Sequence, residues 1–292
     1  MIRKFWPFLL LIFMILIFLG MFKMLKDYRS DQAQRVAEMQ KKAEEVKVTI
    51  IEGLNTEEIA EKLEDAGMFN KDQFMEAVEN FDTTNFPIIQ KPGKTLLEGY
   101  LFPDTYRFAK DATPASVIDT MLKNFVRRMS SIGVTVSDDK FIIPGYENLK
   151  PIGGDGQSGL SLYDVLVLAS IIELESGDSS NMSLAEERGL VAGVFYNRML
   201  IGQALESDAT VNYVTGKSDP GVSIRDTQVN SPYNTYRYAG LPPGPIGNPS
   251  LGSIQAALNP TKSDYYYFLH KQPSGEAVFS KTFEEHVRNK QR

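Results

Sequence analysis

Two glutamates one residue apart, Glu173 and Glu175, close a strongly apolar stretch at residues 161–177, SLYDVLVLASIIELESG. On a helix running through both, their side chains stand roughly 200° apart, so they cannot serve one cleft together. Glu175 comes one turn after Ile171 and Ile172 and two turns after Leu168, whereas Glu173 follows Ala169 and Ser170. Apolar neighbours disfavour the carboxylate anion, and so does the negative end of a helix dipole. Both effects favour a protonated Glu175 near neutral pH, the state a general acid requires. A buried glutamate held by an arginine or a backbone amide fits the same stretch, and the helix alone leaves both readings open.

The composition narrows the chemistry. The chain has no cysteine and only two histidines, His270 and His286. That excludes a thiol nucleophile, a disulfide framework and a cysteine zinc site, and leaves little for a Ser-His-Asp triad. No metal site and no cofactor are expected, and chemistry falls to carboxylates. A length of 292 residues, 42% hydrophobic and 23% charged, suits one full-sized domain and a small one. The net charge of -6 argues against nucleic acid as a partner.

The elements that must position Glu175 can be read in order. Arg3 and Lys4 precede residues 5–22, which carry no charge and end at Lys23. That run has the length of a membrane span and no A-x-A-like cleavage site, so it reads as an uncleaved anchor. Residues 26–47 mix charges around Ala33, Val36, Ala43 and Val46 and read as a helical stalk, holding the next domain roughly 30–35 Å off the bilayer. A strand is expected at 46–51, a helix from Asn55 to Ala66 and another over 70–80. Residues 97–108, aromatic and bearing Glu98 and Asp104, could stack on sugar rings or pack a core. An amphipathic helix at 113–129 and a Gly/Pro-rich loop at 140–159 lead to the central helix. There Ser161 and Asp164 form a capping box, Gly177 is placed as the stop, and about 14 residues are too few to span a bilayer. Ser183 and Glu186 cap a helix over 184–200 that carries Arg188, Asn197 and Arg198. A polar turn is expected at 205–211, a loop at 231–236, and an irregular binding wall at 240–249, GLPPGPIGNP. A strand at 265–269 pairs with 277–279. Strands and helices come in mixed order without a βαβα rhythm, so the fold class is α+β.

Taken together, ASIIELES, the ER…VAGVFYNRM helix, LESDATV, YNTY, GLPPGPIGNP and the closing YYYF…FSKTFEEH resemble the YceG-like family of endolytic murein transglycosylases. The resemblance runs from about residue 98 to the C-terminus. It departs from the family at Ala209, where proline is usual, and in a shorter region before the N-terminal module. The implied layout is a transmembrane anchor (1–24), a stalk (25–45), a LysM-like module (46–90) and a YceG-like catalytic domain (91–292). The implied acid is the second Glu of the E-x-E pair, Glu175, acting alone. It would cleave MurNAc–GlcNAc β-1,4 bonds within glycan strands, leaving 1,6-anhydroMurNAc ends. Glu98, Asn197, Asp208, Tyr233, Asn234 and Tyr236 are expected to orient the sugar or the acid. Glu173 would stand behind them, with Arg188 and Arg198 as structural partners of carboxylates. Implied partners are peptidoglycan strands, the plasma membrane through the N-terminal helix, and peptidoglycan synthases, with the N-terminus cytoplasmic and the catalytic domain on the wall side. Two other readings stay open: a hydrolytic muramidase using Asp208 or Glu98 as second carboxylate, and a non-catalytic peptidoglycan-binding scaffold.

Overall fold

A computed structural model describes residues 6–43, 45–89, 97–135, 140–150, 157–177, 179–217 and 221–291. Within the first helix it describes the side chains at 14 and 16–36 only. In chain order these residues form α1 (Trp6–Ala43), β1 (Glu45–Ile50), α2 (Thr56–Asp65), α3 (Lys71–Glu79), β2 (Asp104–Ala109), α4 (Pro114–Ser131), α5 (Leu162–Glu175), α6 (Leu184–Leu200), α7 (Asp208–Thr215), α8 (Leu251–Leu258), β3 (Tyr267–His270), β4 (Ala277–Ser280) and α9 (Phe283–Lys290). Strand β1 pairs with β2, and β3 pairs antiparallel with β4, Tyr267 opposite Ser280 and His270 opposite Ala277. The architecture is mixed α+β, as the element order implied. The chain divides into two compact units, Met1–Lys47 with Arg107–Asp111, and Val48–Tyr106 with Ala112–Arg292.

In the first unit, the segments expected as anchor and stalk lie along one helix. Its 38 residues extend about 57 Å at the usual rise. Among the described residues no helix is long and apolar enough to cross a membrane. Most side chains of the 5–22 run, on which the anchor expectation rests, lie outside the described residues.

In the second unit, helix starts are fixed by reciprocal caps. Asn55, Asn70, Ser161, Ser183 and Thr282 each accept from the amide three residues on, and the side chain there returns the bond. Between these starts, α5 is the interior element. From Leu162 to Ile172 every residue but Asp164 is buried, with α8, α6 and α7 packed round it. Each such large apolar side chain contributes about 1.5–3 kcal/mol by leaving water. The apolar surround stops at Leu174, which is exposed. Glycine does not end the helix: Ser176 caps it in an extended conformation (ψ 130°).

Two local expectations change, and one open alternative is decided. The polar turn expected at 205–211 becomes the start of α7, which ends at Gly216 with φ +66°. The 97–108 ribbon packs inward: Tyr100 is fully buried, 5.2 Å from the Phe125 ring and 6.4 Å from Tyr163. Finally, 240–249 is irregular as expected but mostly buried, so it acts as a wedge rather than an open wall. A Cβ on Gly247 would stand 2.3 Å from the Gly53 carbonyl oxygen. That approach lets Gly53 N–H donate to the Asn248 carbonyl and Asn248 N–H to the Leu54 carbonyl, both at 2.9 Å.

Candidate active site

Glu175 ends α5 with its carboxyl at the wall of a cavity of about 530 Å³. The buried run before it supplies the apolar side. The polar side comes from the segment entering α7, where Ser207 Oγ donates to Glu175 Oε1 at 2.5 Å. Burial pushes the Glu175 carboxyl above the usual carboxylate range. The Ser207 hydroxyl opposes this, the charge of Asp208 adds to it, and the Ala209 amide and His270 oppose it. The net direction is up, so the proton is retained to higher pH than on a free glutamate.

Ser207 is itself held in place. Its amide donates to Thr235 Oγ1 at 3.0 Å, its carbonyl accepts from Thr210 Oγ1 at 2.7 Å, and the two threonine hydroxyls are 2.8 Å apart. The preceding residue, Glu206, has φ +50°, the only positive φ outside glycine among the described residues. Its amide bonds the Thr235 carbonyl at 3.1 Å and its carboxylate meets Arg198 Nη1 at 3.3 Å. That tight bend delivers Ser207 and Asp208 to the end of α5. Asp208 accepts from Tyr236 Oη at 2.5 Å, and both line the cavity.

Strand β3 and helix α9 also line the cavity. His270 on β3 faces the cavity and its Nε2 lies 2.6 Å from Glu187 Oε1. Glu187, fully buried on α6, also accepts the Gly177 amide at 2.9 Å and the Ser179 amide at 3.3 Å. Among the described residues no group of three His, Asp or Glu side chains could hold a metal ion.

The structure thus brings together Glu175, Asp208 and Tyr236 of the residues singled out from sequence. Arg198 lines the cavity as well, while Glu98, Asn197, Tyr233, Asn234, Glu173 and Arg188 are not part of its lining. Glu98 is buried elsewhere, accepting the Thr56 amide at 3.0 Å and Asn248 Nδ2 at 2.9 Å, and burial raises its carboxyl to about 7. Asn197 gives its amide to the Ser263 and Tyr265 carbonyls at 2.9 and 2.8 Å and accepts from Tyr146 at 3.1 Å. Asn234 shapes its own loop through the Thr227 and Val229 carbonyls, and accepts the Tyr236 amide at 3.0 Å. Tyr233 stands against the Tyr213 ring at 5.1 Å, and burial raises its hydroxyl to about 12. Glu173 is locked to Arg188 at 2.6 Å and to the Ser250 amide at 2.8 Å, on another side of the helix from Glu175. Arg198 pairs with Glu206 and donates to the Tyr266 and Leu205 carbonyls, both at 2.7 Å. Sequence reasoning missed Ser207, Glu187 and His270 as neighbours of the acid. Only Ser207 carried a usable signal, its place beside Asp208 in the LESDAT segment.

The sequence profile of the YceG-like family matches residues 16–292. The chain belongs to the YceG-like family. A YceG-like protein of Listeria monocytogenes shares its fold, with a TM-score of 0.65 and 30% identity, over 84% of this chain and 76% of that one. The endolytic murein transglycosylase of Bacillus subtilis is 33% identical over 256 residues, 84% of this chain and 64% of that protein. The one from Streptococcus pneumoniae is 32% identical over 245 residues, 82% of this chain and 39% of that protein. This YceG-like chain therefore spans just under two thirds and about two fifths of the length of these curated relatives.

Proposed function

We propose that this chain is an endolytic peptidoglycan lytic transglycosylase with Glu175 as its single general acid and base. The observation that carries the reading is a carboxyl at the wall of a cavity, with its hold on the proton raised by burial. Family membership and the names of the relatives support it. The protonated Glu175 donates its proton to the oxygen between MurNAc and GlcNAc as positive charge develops at MurNAc C1. The leaving sugar departs as a free hydroxyl. The Glu175 carboxylate, stabilised by the Ser207 hydroxyl and the Ala209 amide, then takes the proton of the MurNAc C6 hydroxyl. The C6 oxygen bonds C1 and closes the 1,6-anhydro ring. An internal nucleophile has a high effective concentration, so neither water nor a second catalytic carboxylate enters.

Asp208 lines the same cavity and gives the hydrolytic reading its one supporting observation, although Tyr236 engages one of its oxygens. Mass spectrometry of glycan digested by the purified protein separates the two. Anhydro ends are expected; reducing ends alone would overturn the transglycosylase reading. The uncharged 5–22 run supports a membrane anchor; the family resemblance supports the rest of the chain on the wall side, next to strands made by peptidoglycan synthases, with residues 46–90 as a LysM-like module. Protease treatment of intact spheroplasts should digest the C-terminal domain, and its survival would overturn that orientation.

A further inference from the structure

The cavity at Glu175 has a second half that the chemistry above does not use. There, Tyr267 on β3 and Phe283 and His286 on α9 gather their rings: Tyr267 to Phe283 at 5.9 Å, Tyr267 to His286 at 5.5 Å, Phe283 to His286 at 6.4 Å. This group is backed by Arg198, whose guanidinium lies 5.1 Å from the Tyr267 ring centre, and that arginine is buried and already paired. Phe283 is 58% exposed, unusual for a phenylalanine on a well-capped helix.

Charge around these rings is largely spent. Arg198 is engaged by Glu206 and three carbonyls, and Lys271 is paired with Glu276 at 3.1 Å. Burial, with Lys290 and Arg198 nearby, lowers the basicity of His286, so its ring stays neutral at neutral pH. What faces the cavity is an aromatic surface with the amides of Gln272 and Asn289, and Lys290 lines it as well. Lys290 apart, an anion finds Arg198 and Lys271 already engaged. A pyranose finds ring faces for its C–H surface and amides for its hydroxyls.

We infer that Tyr267, Phe283 and His286 form a platform that seats a pyranose ring of the glycan strand beside the one at Glu175. The inference rests on the proposed function and adds a binding subsite built by the C-terminal helix. The test uses the full-length protein carrying Glu175→Gln, so that strands bind without being cut, and isothermal titration with glycan freed of its peptides. Adding Phe283→Ala should weaken binding about three- to tenfold, with the melting temperature unchanged because that ring is largely exposed. Phe283→Tyr should restore binding. Equal affinity with and without the Phe283 ring would overturn the platform. So would a loss seen only with peptide-bearing strands, which would make the peptide its ligand. If neither protein binds glycan while the wild type still yields anhydro ends, the platform falls and the enzymatic reading stands. If the wild type also yields none, both fall.

Discussion

Glu98 and Glu175 make an instructive pair. Burial raises both carboxyls, and each has few bonds to hold its charge. Glu98 is closed in on every side, its oxygens bonded to the Thr56 amide and to Asn248 at the junction of α2 with the 240–249 wedge. Glu175 keeps one face toward a cavity and receives one hydroxyl. Glu173, two residues earlier, is sealed by an arginine and a backbone amide. A raised pKa alone therefore does not mark a candidate acid; access to a cavity separates the two. A titratable group enclosed on all sides has become structure.

Substitutions can break that comparison. The largest effect is expected at Glu175: Glu175→Gln should lower strand cleavage about 10²- to 10⁴-fold while the melting temperature holds, and comparable turnover would remove its assigned role. Arg188→Ala should instead cost stability, about 3–5 kcal/mol in a urea melt, because it leaves Glu173 buried without its counter-charge. Glu98→Ala should cost about 2–3 kcal/mol by stranding the Thr56 amide and the Asn248 amide, with activity per folded molecule unchanged. Because the folded Glu98 carboxyl stands near 7, above its unfolded value, its contribution is complete below about pH 4.5 and is lost as pH rises through about 7. Over that interval stability should fall by roughly 3 kcal/mol, and Glu98→Gln should flatten the slope.

The smallest effects sharpen the contrast most. Ser207→Ala removes a bond that favours the Glu175 anion, so the alkaline limb of the cleavage profile should move to higher pH. Asp208→Asn removes a charge that disfavours that anion, so the limb should move the other way. Turnover at the optimum should change less than about tenfold in either case. Limbs moving together would show that the acid is set by something other than these two neighbours.

What the sequence made legible follows from range. Capping boxes and the apolar run are local, so α5 and α6 could be drawn residue by residue, and Glu175 could be told from Glu173 by which neighbours precede it. Asn197 and Glu98 were polar residues in motifs, and nothing in their neighbourhoods said that their partners were carbonyls and amides up to 150 residues away. The aromatic stretch at 97–108 looked fit for sugars, yet exposed aromatic surface at the cavity is supplied by Phe283 with Tyr267. Alternation and composition cannot tell a ring that faces inward from one that faces a cleft. The start of α7 was hidden because Ser207 spends its hydroxyl on Glu175 instead of capping its own helix.

Glu187 has a mechanical consequence. One enclosed carboxylate on α6 grips the chain leaving the helix of Glu175, through Gly177 and Ser179, and a strand that lines the cavity, through His270. Two stretches of chain are thus riveted to a common post. The spacing between them is tied to a single side chain, so they should shift together rather than apart.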